Sequence, residues 1–250
     1  MFQFSPITIA NKNFTMRELS FDEIIKVARI SEKLNEKRIT AFLGYAIGNL
    51  ELAQKLTIQE RYYLLMQYLS TQQDELTGQK SDYQNYLKPV TEAWQTSIKV
   101  DSLITVRQLT GYQAEILECV CDDVVDWLTG AMALQMDCPE WPIMPDDTQP
   151  ADKIDAVMRE RIDLIKGLPD SDFDLLCDQY LIGVGQMSSL VDTVFDNDGI
   201  VVVCHGLGGA DDAPRRFRPS AAFGRRSREL AKHLDQQSSA SQQGQQHESA

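Results

Sequence analysis

The sequence has no histidine before residue 205 and no two cysteines in Cys-x-x-Cys spacing. A zinc site with the usual ligand spacings therefore cannot be assembled from neighbouring residues. Because the cysteines are odd in number and lack a metal-binding pattern, we expect reduced thiols that pack in or near the core. They are Cys119, Cys121, Cys138, Cys177 and Cys204.

Signatures of catalysis and of membrane insertion are also missing. The His-Gly-x-Gly-Gly stretch at 205–209 resembles the oxyanion-hole loop of lipase-like hydrolases, but no Gly-x-Ser-x-Gly nucleophile elbow accompanies it. The turn at 196–199 does not extend into a calcium-binding loop, since His205 stands where a bidentate Glu is needed. No apolar run is long enough to span a membrane, and the N-terminus lacks the basic start of a signal peptide. We therefore expect a non-enzymatic protein of a reducing cytoplasm, without cofactor, metal or membrane contact.

Charge is distributed unevenly along the chain. The formal net charge is −13. Residues 1–213 carry 17 Lys and Arg against 34 Asp and Glu, whereas 214–250 carry 7 against 3. The acidic body repels phosphate, which argues against nucleic-acid binding by this part of the protein. The basic end is a separate feature.

Two segments of the chain share one pattern of strand, turn, strand and capped helix. In the first, two β-prone runs flank Ala-Asn-Lys-Asn, and Ser20 precedes Glu23 by the spacing of a capping box, so a helix should start at Phe21. In the second, TSIKV and ITVRQL flank Asp-Ser, and Thr110 with Gln113 repeats the box. A buried stripe should follow in one helix, formed by Ile116, Leu117, Val120, Val124, Val125 and Leu128.

The two segments carry the similar hexapeptides TMRELS and TVRQLT, which start 90 residues apart. They are either a duplication or two independent uses of a common strand-to-helix signal. In each, an arginine (Arg17 or Arg107) lies between apolar neighbours on an apparent strand. We expect both side chains on a solvated strand face.

The rest of the chain is expected to be mainly helical, so the whole is an α+β protein. Thr57 and Glu60 form a third capping box, and four prolines between 139 and 150 mark a boundary. Helical periodicity resumes over DKIDAVMRERIDLIKGL and DFDLLCDQYLIGVGQMSSLVDTVF, and Gly199 opens a short strand. The expected parts are a duplicated hairpin-helix domain at 1–138, a Pro-rich linker at 139–152, a helical region at 153–213, an Arg-rich segment at 214–235 and a disordered Gln/Ser tail at 236–250.

The Arg-rich segment contains six candidate partner-binding residues interleaved with Phe217 and Phe223. This composition suits docking on an acidic partner protein, docking on the acidic body of the same chain, or, as the least favoured alternative, binding of phosphate backbones. With few apolar residues to add to a core, residues 214–250 should be removable without unfolding the rest. The six residues are Arg215, Arg216, Arg218, Arg225, Arg226 and Arg228.

The stretches ITIANKNFTMRELSFDEIIKV and SIKVDSLITVRQLTGYQAEIL resemble the tail-assembly and baseplate-assembly chaperones of tailed bacteriophages. The shared feature is a hairpin that ends in Thr-x-Arg-x-Leu-Ser/Thr and runs directly into a capped helix. The resemblance implies a non-catalytic protein that binds tape-measure or baseplate components, in the host cytoplasm or the virion, with the Arg-rich segment as a variable C-terminal extension. The alternatives are an adaptor for another protein partner and, with less support, an enzyme whose site is scattered along the chain.

Overall fold

A computed structural model describes residues 2–79, 82–90, 93–204 and 214–234. The chain is an α+β protein, mostly helical, with short antiparallel sheets. The expected fold class is therefore confirmed. The predicted disordered tail at 236–250 lies outside the described residues.

The first hairpin-helix unit forms where the sequence places it. Strands β1 (Ile7–Ile9) and β2 (Lys12–Phe14) pair antiparallel, and Ala10 takes a left-handed conformation with φ of 52° in the turn between them. Helix α1 (Phe21–Ala28) begins after Ser20, and both hydrogen bonds of the capping box are present. The Arg17 motif itself follows the hairpin instead of lying in it, which corrects the strand position expected for this arginine.

The second unit forms a larger sheet. Strands β3 (Ser97–Lys99) and β4 (Thr105–Arg107) pair antiparallel, and β5 (Met136–Asp137) adds to the other edge of β4. Arg107 ends β4, so it and Arg17 do not occupy equivalent positions. Both side chains are about half exposed and form ion pairs, Arg17 with Glu23 and Arg107 with Asp137.

The single helix expected after Thr110 is two helices. Helix α5 (Gly111–Val120) starts at the predicted capping box, but it ends where Asp123 caps a new helix, α6 (Val124–Gln135). The Asp123 side chain accepts the backbone N–H groups of residues 125 and 126, which competes with continuation of α5. The predicted buried stripe is therefore wrong at Val124 and Val125, which are 40% and 56% exposed.

Three further helices supply most of the N-terminal core. They are α2 (Asn35–Ile47), α3 (Leu50–Lys55) and α4 (Ile58–Thr77). The predicted Thr57 capping box starts α4, and Thr57 pairs with Thr110 in an antiparallel bridge, so that the starts of α4 and α5 lie side by side. The apolar side chains of α4 are mostly buried in the core; beyond the first turn, the buried ones are Tyr62, Leu64, Leu65, Met66, Tyr68 and Leu69.

The second half is less helical than predicted. Helices α7 (Ala151–Lys166) and α8 (Asp170–Gln186) form, and the region at 138–150 contains neither helix nor strand. Asp192–Asp196 is a strand, β6, which pairs with β7 (Gly199–Val203) across the predicted turn. The helical assignment was wrong there because α8 ends at Gln186, and Thr193, Val194 and Phe195 favour an extended chain.

The Arg-rich segment packs against the body. Phe217 and Phe223 are 6% and 2% exposed and belong to the main core cluster, and a last helix, α9, covers 225–234 in the described part of the chain. The expectation that this segment adds little to a core is therefore wrong. The core cluster also joins residues of 1–138 to residues of 153–204. The proposed domain boundaries stay a prediction.

Candidate functional site

A cavity of about 400 Å³ lies between the C-terminal half of α8 and strand β6. We call it the α8–β6 groove. Helix α8 reaches this position because Gly183 packs directly on β4: a Cβ at residue 183 would lie 2.5 Å from the Val106 side chain. Leu181 and Val184 form one wall, and Thr193 and Phe195 form the other.

Three glutamines hold α8 and the segment that connects it to β6. The Oε1 atom of Gln59 accepts the backbone N–H groups of Leu190 and Val191, at 2.8 and 3.0 Å. Gln108 donates its Nε2 to the carbonyl of Ser188 at 2.5 Å, and its buried Oε1 has no hydrogen-bond partner among the described residues. The connecting segment is therefore held by side chains at α4 and β4, which come from the distant N-terminal half of the chain.

The third glutamine connects α8 to the sheet. Gln135 donates to the carbonyl of Arg107 at 2.7 Å and accepts the Tyr180 hydroxyl at 2.8 Å. Tyr180 is buried, and burial raises the pKa of its hydroxyl well above the ordinary value. It is a neutral hydrogen-bond donor at physiological pH.

The mouth of the α8–β6 groove carries one lysine, Lys88. Its Nζ donates to the Ser189 hydroxyl at 3.0 Å and forms an ion pair with Asp192. A lysine and a serine at this distance suggest a nucleophile with its base. The same Nζ also contacts Asp192, however, and this pair of contacts does not by itself assign a nucleophile.

The outer face of α8 exposes large apolar side chains. Leu175, Leu181 and Ile182 are 66%, 56% and 49% exposed. Leu103, in the β3–β4 turn, is 63% exposed and borders a second groove of about 600 Å³ together with Leu175. We call Leu103, Leu175, Leu181 and Ile182 the α8 apolar strip.

Three of the six predicted arginines contact acidic residues outside the Arg-rich segment. Arg215 pairs with Asp82 at 3.3 Å, and its guanidinium lies 5.8 Å from the centre of the Tyr86 ring. Arg216 pairs with Asp196 and donates to the carbonyl of Asp198 at 2.6 Å. The third, Arg218, pairs with Glu32 at 3.3 Å.

The other three lie at or in α9. Arg225 pairs with Glu229 within the helix, Arg226 is exposed, and Arg228 donates to the carbonyls of Ala221 and Phe223. The predicted arginines therefore have separate partners, some in the body and some within the Arg-rich segment. Sequence reasoning did not identify the α8–β6 groove, whose lining adds residues from distant segments, such as Ile58, Gln108 and Leu128, to the neighbouring elements α8 and β6.

A cluster of charged side chains is buried between α2, α4 and α5. The Arg61 guanidinium is inaccessible to solvent and donates to the Glu36 carboxylate at 3.2 Å and to Thr40 at 2.8 Å. The Glu118 carboxylate accepts the backbone N–H groups at the start of α2, from Glu36 at 2.7 Å and Lys37 at 3.2 Å. Burial raises the pKa of Glu118 to about 7, and the Glu36 carboxylate contributes to the same rise. The role of this cluster is structural, because its hydrogen bonds join three helices.

The cysteines are free thiols, as the sequence indicates. Burial raises the pKa of Cys121 to about 12 and that of Cys138 to about 11, so neither is a thiolate nucleophile at physiological pH. Among the described residues, no group of three His, Cys, Asp or Glu side chains is placed to hold a metal ion. Within the same ranges, no helix has the length and apolarity needed to cross a membrane.

Comparisons with known proteins give no relative. The chain matches no family model, no curated protein and no solved structure.

Proposed function

We propose that this protein binds other proteins, without catalysis, through the α8 apolar strip. The observation that carries the proposal is the exposure of Leu175, Leu181 and Ile182, each about half or more accessible to water on one helix. Exposed apolar side chains that form a contiguous patch mark interaction surfaces, because a partner removes them from water.

The α8 apolar strip borders both concave parts of the surface. Leu175 borders the 600 Å³ groove, and Leu181 borders the α8–β6 groove. Ile182 follows Leu175 by seven residues, which is two helical turns, and so lies on the same side of α8. Exposed Asp174 and Asp178 accompany the strip. The surface therefore suits an apolar partner with basic residues at its rim.

The setting that we propose is assembly of a bacteriophage tail or baseplate, in the host cytoplasm or in the virion. This part rests on the resemblance of the two hairpin-helix segments to tail-assembly and baseplate-assembly chaperones. The α8 apolar strip, which needs a protein partner to cover it, supports a chaperone or a virion component.

Co-expression with any tape-measure, tail and baseplate proteins encoded in the same genome tests the proposal. The tagged protein should co-purify with one of them, and Leu175→Asp with Ile182→Asp should reduce this capture at least about tenfold, since a buried charge opposes the contact. Leu50→Asp with Leu76→Asp is the matched control, because these leucines are 56% and 71% exposed on other helices.

Equal capture by the strip variant and the control would contradict the proposed surface. Capture of a host protein in place of any phage protein, lost in the strip variant, would support the alternative function as an adaptor. Denaturant unfolding of each variant shows whether it remains folded, so that a loss of capture can be assigned to the surface.

A further inference from the structure

One edge of strand β6 is unpaired within the described ranges. In the described part of the chain, β6 pairs only with β7, and the other edge of β7 pairs with Arg215. An open edge leaves backbone N–H and C=O groups free to bind another strand.

The register identifies which groups face the open edge. Val202 uses both its N–H and its C=O to bind Arg215, at 2.9 and 2.8 Å, so these groups point away from β6. In an antiparallel pair, the residue opposite such a position likewise points its N–H and C=O away from the partner strand. Thr193 lies opposite Val202, and Phe195, two residues on, lies opposite Ile200 in the same orientation. Neither Thr193 nor Phe195 forms a backbone hydrogen bond at this edge with any described residue.

The α8–β6 groove lies beside the open edge of β6. Thr193, Val194 and Phe195 all line the cavity, and Leu181 and Val184 of α8 face them. A strand added to β6 would place alternate side chains toward apolar residues at the base of the groove, such as Leu109 and Leu128. Both the backbone groups and the space that strand addition requires are therefore present.

Charge indicates which kind of chain would bind. At the β6–β7 turn, the backbone N–H of Val124 donates to the Asn197 side chain at 3.3 Å, which places exposed Asp122 and Asp123 near exposed Asp198. None of these three carboxylates forms a salt bridge within the described ranges. A second copy of this chain, with its net charge of −13, would bring more negative charge to this rim.

We propose that the open edge of β6 binds an extended segment of a partner protein as an added strand, and that this segment alternates apolar and polar residues and carries basic residues at the end that lies beside the β6–β7 turn. The interaction rests on the proposed protein-binding function and adds to it a second, backbone-directed contact beside the α8 apolar strip. Main-chain hydrogen bonds to Thr193 and Phe195 supply the pairing, and the α8–β6 groove selects the side chains.

A fluorescent peptide of alternating valine and threonine with two lysines at each end is the first probe. It should bind the full-length protein, and binding should weaken as salt rises. The same peptide with aspartates in place of lysines should bind at least about tenfold more weakly. Two further peptides carry N-methyl groups on alternate backbone nitrogens, one at the odd positions and one at the even positions. Only one of these sets of N–H groups would face β6, so only one of the two peptides should bind about tenfold more weakly than the parent peptide.

Thr193→Pro tests the protein side. Proline removes only the N–H that faces the open edge, so the β6–β7 pairing should survive while peptide affinity falls about tenfold. Val194→Pro is the contrasting variant: Val194 is bonded to β7 in this register, so this change should reduce stability. If Thr193→Pro lowers stability as well, the N-methylated peptides still show whether backbone hydrogen bonds hold the peptide on β6.

The strand-addition proposal would be overturned if the peptide did not bind. It would also be overturned if both N-methylated peptides bound as tightly as the parent peptide. So would self-association of the protein that Thr193→Pro abolishes, because the occupant would then be a second copy. In a further combination, the Leu175→Asp, Ile182→Asp variant loses partner capture while the wild-type protein fails to bind the peptide. This combination would support the proposed function and reject only the β6 site.

Discussion

At the scale of single residues, the buried polar contacts have consequences that can be measured. Glu118 is a carboxyl group whose pKa is raised from 4.5 to about 7 by burial and by Glu36. Between these two pH values the folded protein retains a proton that the unfolded chain has released. The contribution of Glu118 to stability is therefore fully present below about pH 4.5 and is lost as pH rises toward 7.

We expect Glu118→Gln to remove this loss. The free energy of unfolding of the wild type, measured relative to the variant, should fall by up to a few kcal/mol between about pH 4.5 and 7, because a pKa difference of one corresponds to about 1.4 kcal/mol. Denaturant titrations across this range measure it. Glu51→Gln is the control, because the hydrogen bond and ion pair with Lys55 lower the pKa of exposed Glu51. The contribution of Glu51 to the free energy of unfolding therefore rises with pH instead of falling. A difference between wild type and Glu118→Gln that does not vary with pH would contradict the prediction.

At the scale of elements, the Arg-rich segment is attached by its aromatic side chains more than by its charges. The Phe217 ring packs at 5.0 Å from the centre of Tyr86 and is 6% exposed, whereas the Arg215 and Arg218 ion pairs are half exposed. Half-exposed ion pairs contribute about 0.2–1 kcal/mol each, but a buried phenylalanine contributes several times more.

Phe217→Ala should therefore lower the free energy of unfolding by about 3–5 kcal/mol, and deletion of 214–250 should lower it at least as much. Arg218→Ser is the control from the same segment and should cost less than about 1 kcal/mol. Thermal or denaturant unfolding of the three variants gives the comparison. Unchanged stability after deletion of 214–250 would restore the interpretation of this segment as a separate appendage.

At the scale of the whole molecule, the arginines belong to two groups. Arg215, Arg216 and Arg218 neutralise carboxylates of the body, while Arg225 and Arg226 on α9 remain exposed. The composition of the Arg-rich segment predicts that α9 contacts an acidic region of the partner, apart from the basic residues that meet the α8 apolar strip. We therefore expect Arg225→Ser with Arg226→Ser to leave unfolding unchanged, to weaken partner capture severalfold and to reduce its salt dependence, because charges are screened over about 8 Å at physiological ionic strength. Capture at different salt concentrations measures this.

Arg29→Ser with Arg159→Ser is the matched control, because it removes the same charge from exposed positions elsewhere in the chain. The same loss of capture in both double variants would show that only net charge matters. Capture that is unchanged in the α9 variant would return the interaction to the α8 apolar strip alone.

Local features were readable from the sequence because they depend on neighbouring residues. Ser20, Thr57 and Thr110 each start the predicted helix, since a capping box satisfies its own backbone groups within four residues. The hairpins at residues 7–14 and 97–107 and the β6–β7 turn followed from β-branched runs and turn residues in the same way. The fold class followed from these elements.

The tertiary structure alone decided where those elements meet. Composition did not show that Phe217 would enter the core, because its burial depends on Tyr86, 131 residues earlier in the chain. The α8–β6 groove is likewise built by glutamines at α4, β4 and α6, and α8 reaches it because Gly183 fits against Val106. Helical periodicity predicts that α8 forms, but which of its apolar side chains stay exposed depends on the packing of distant segments, and that packing leaves Leu175 and Ile182 in water.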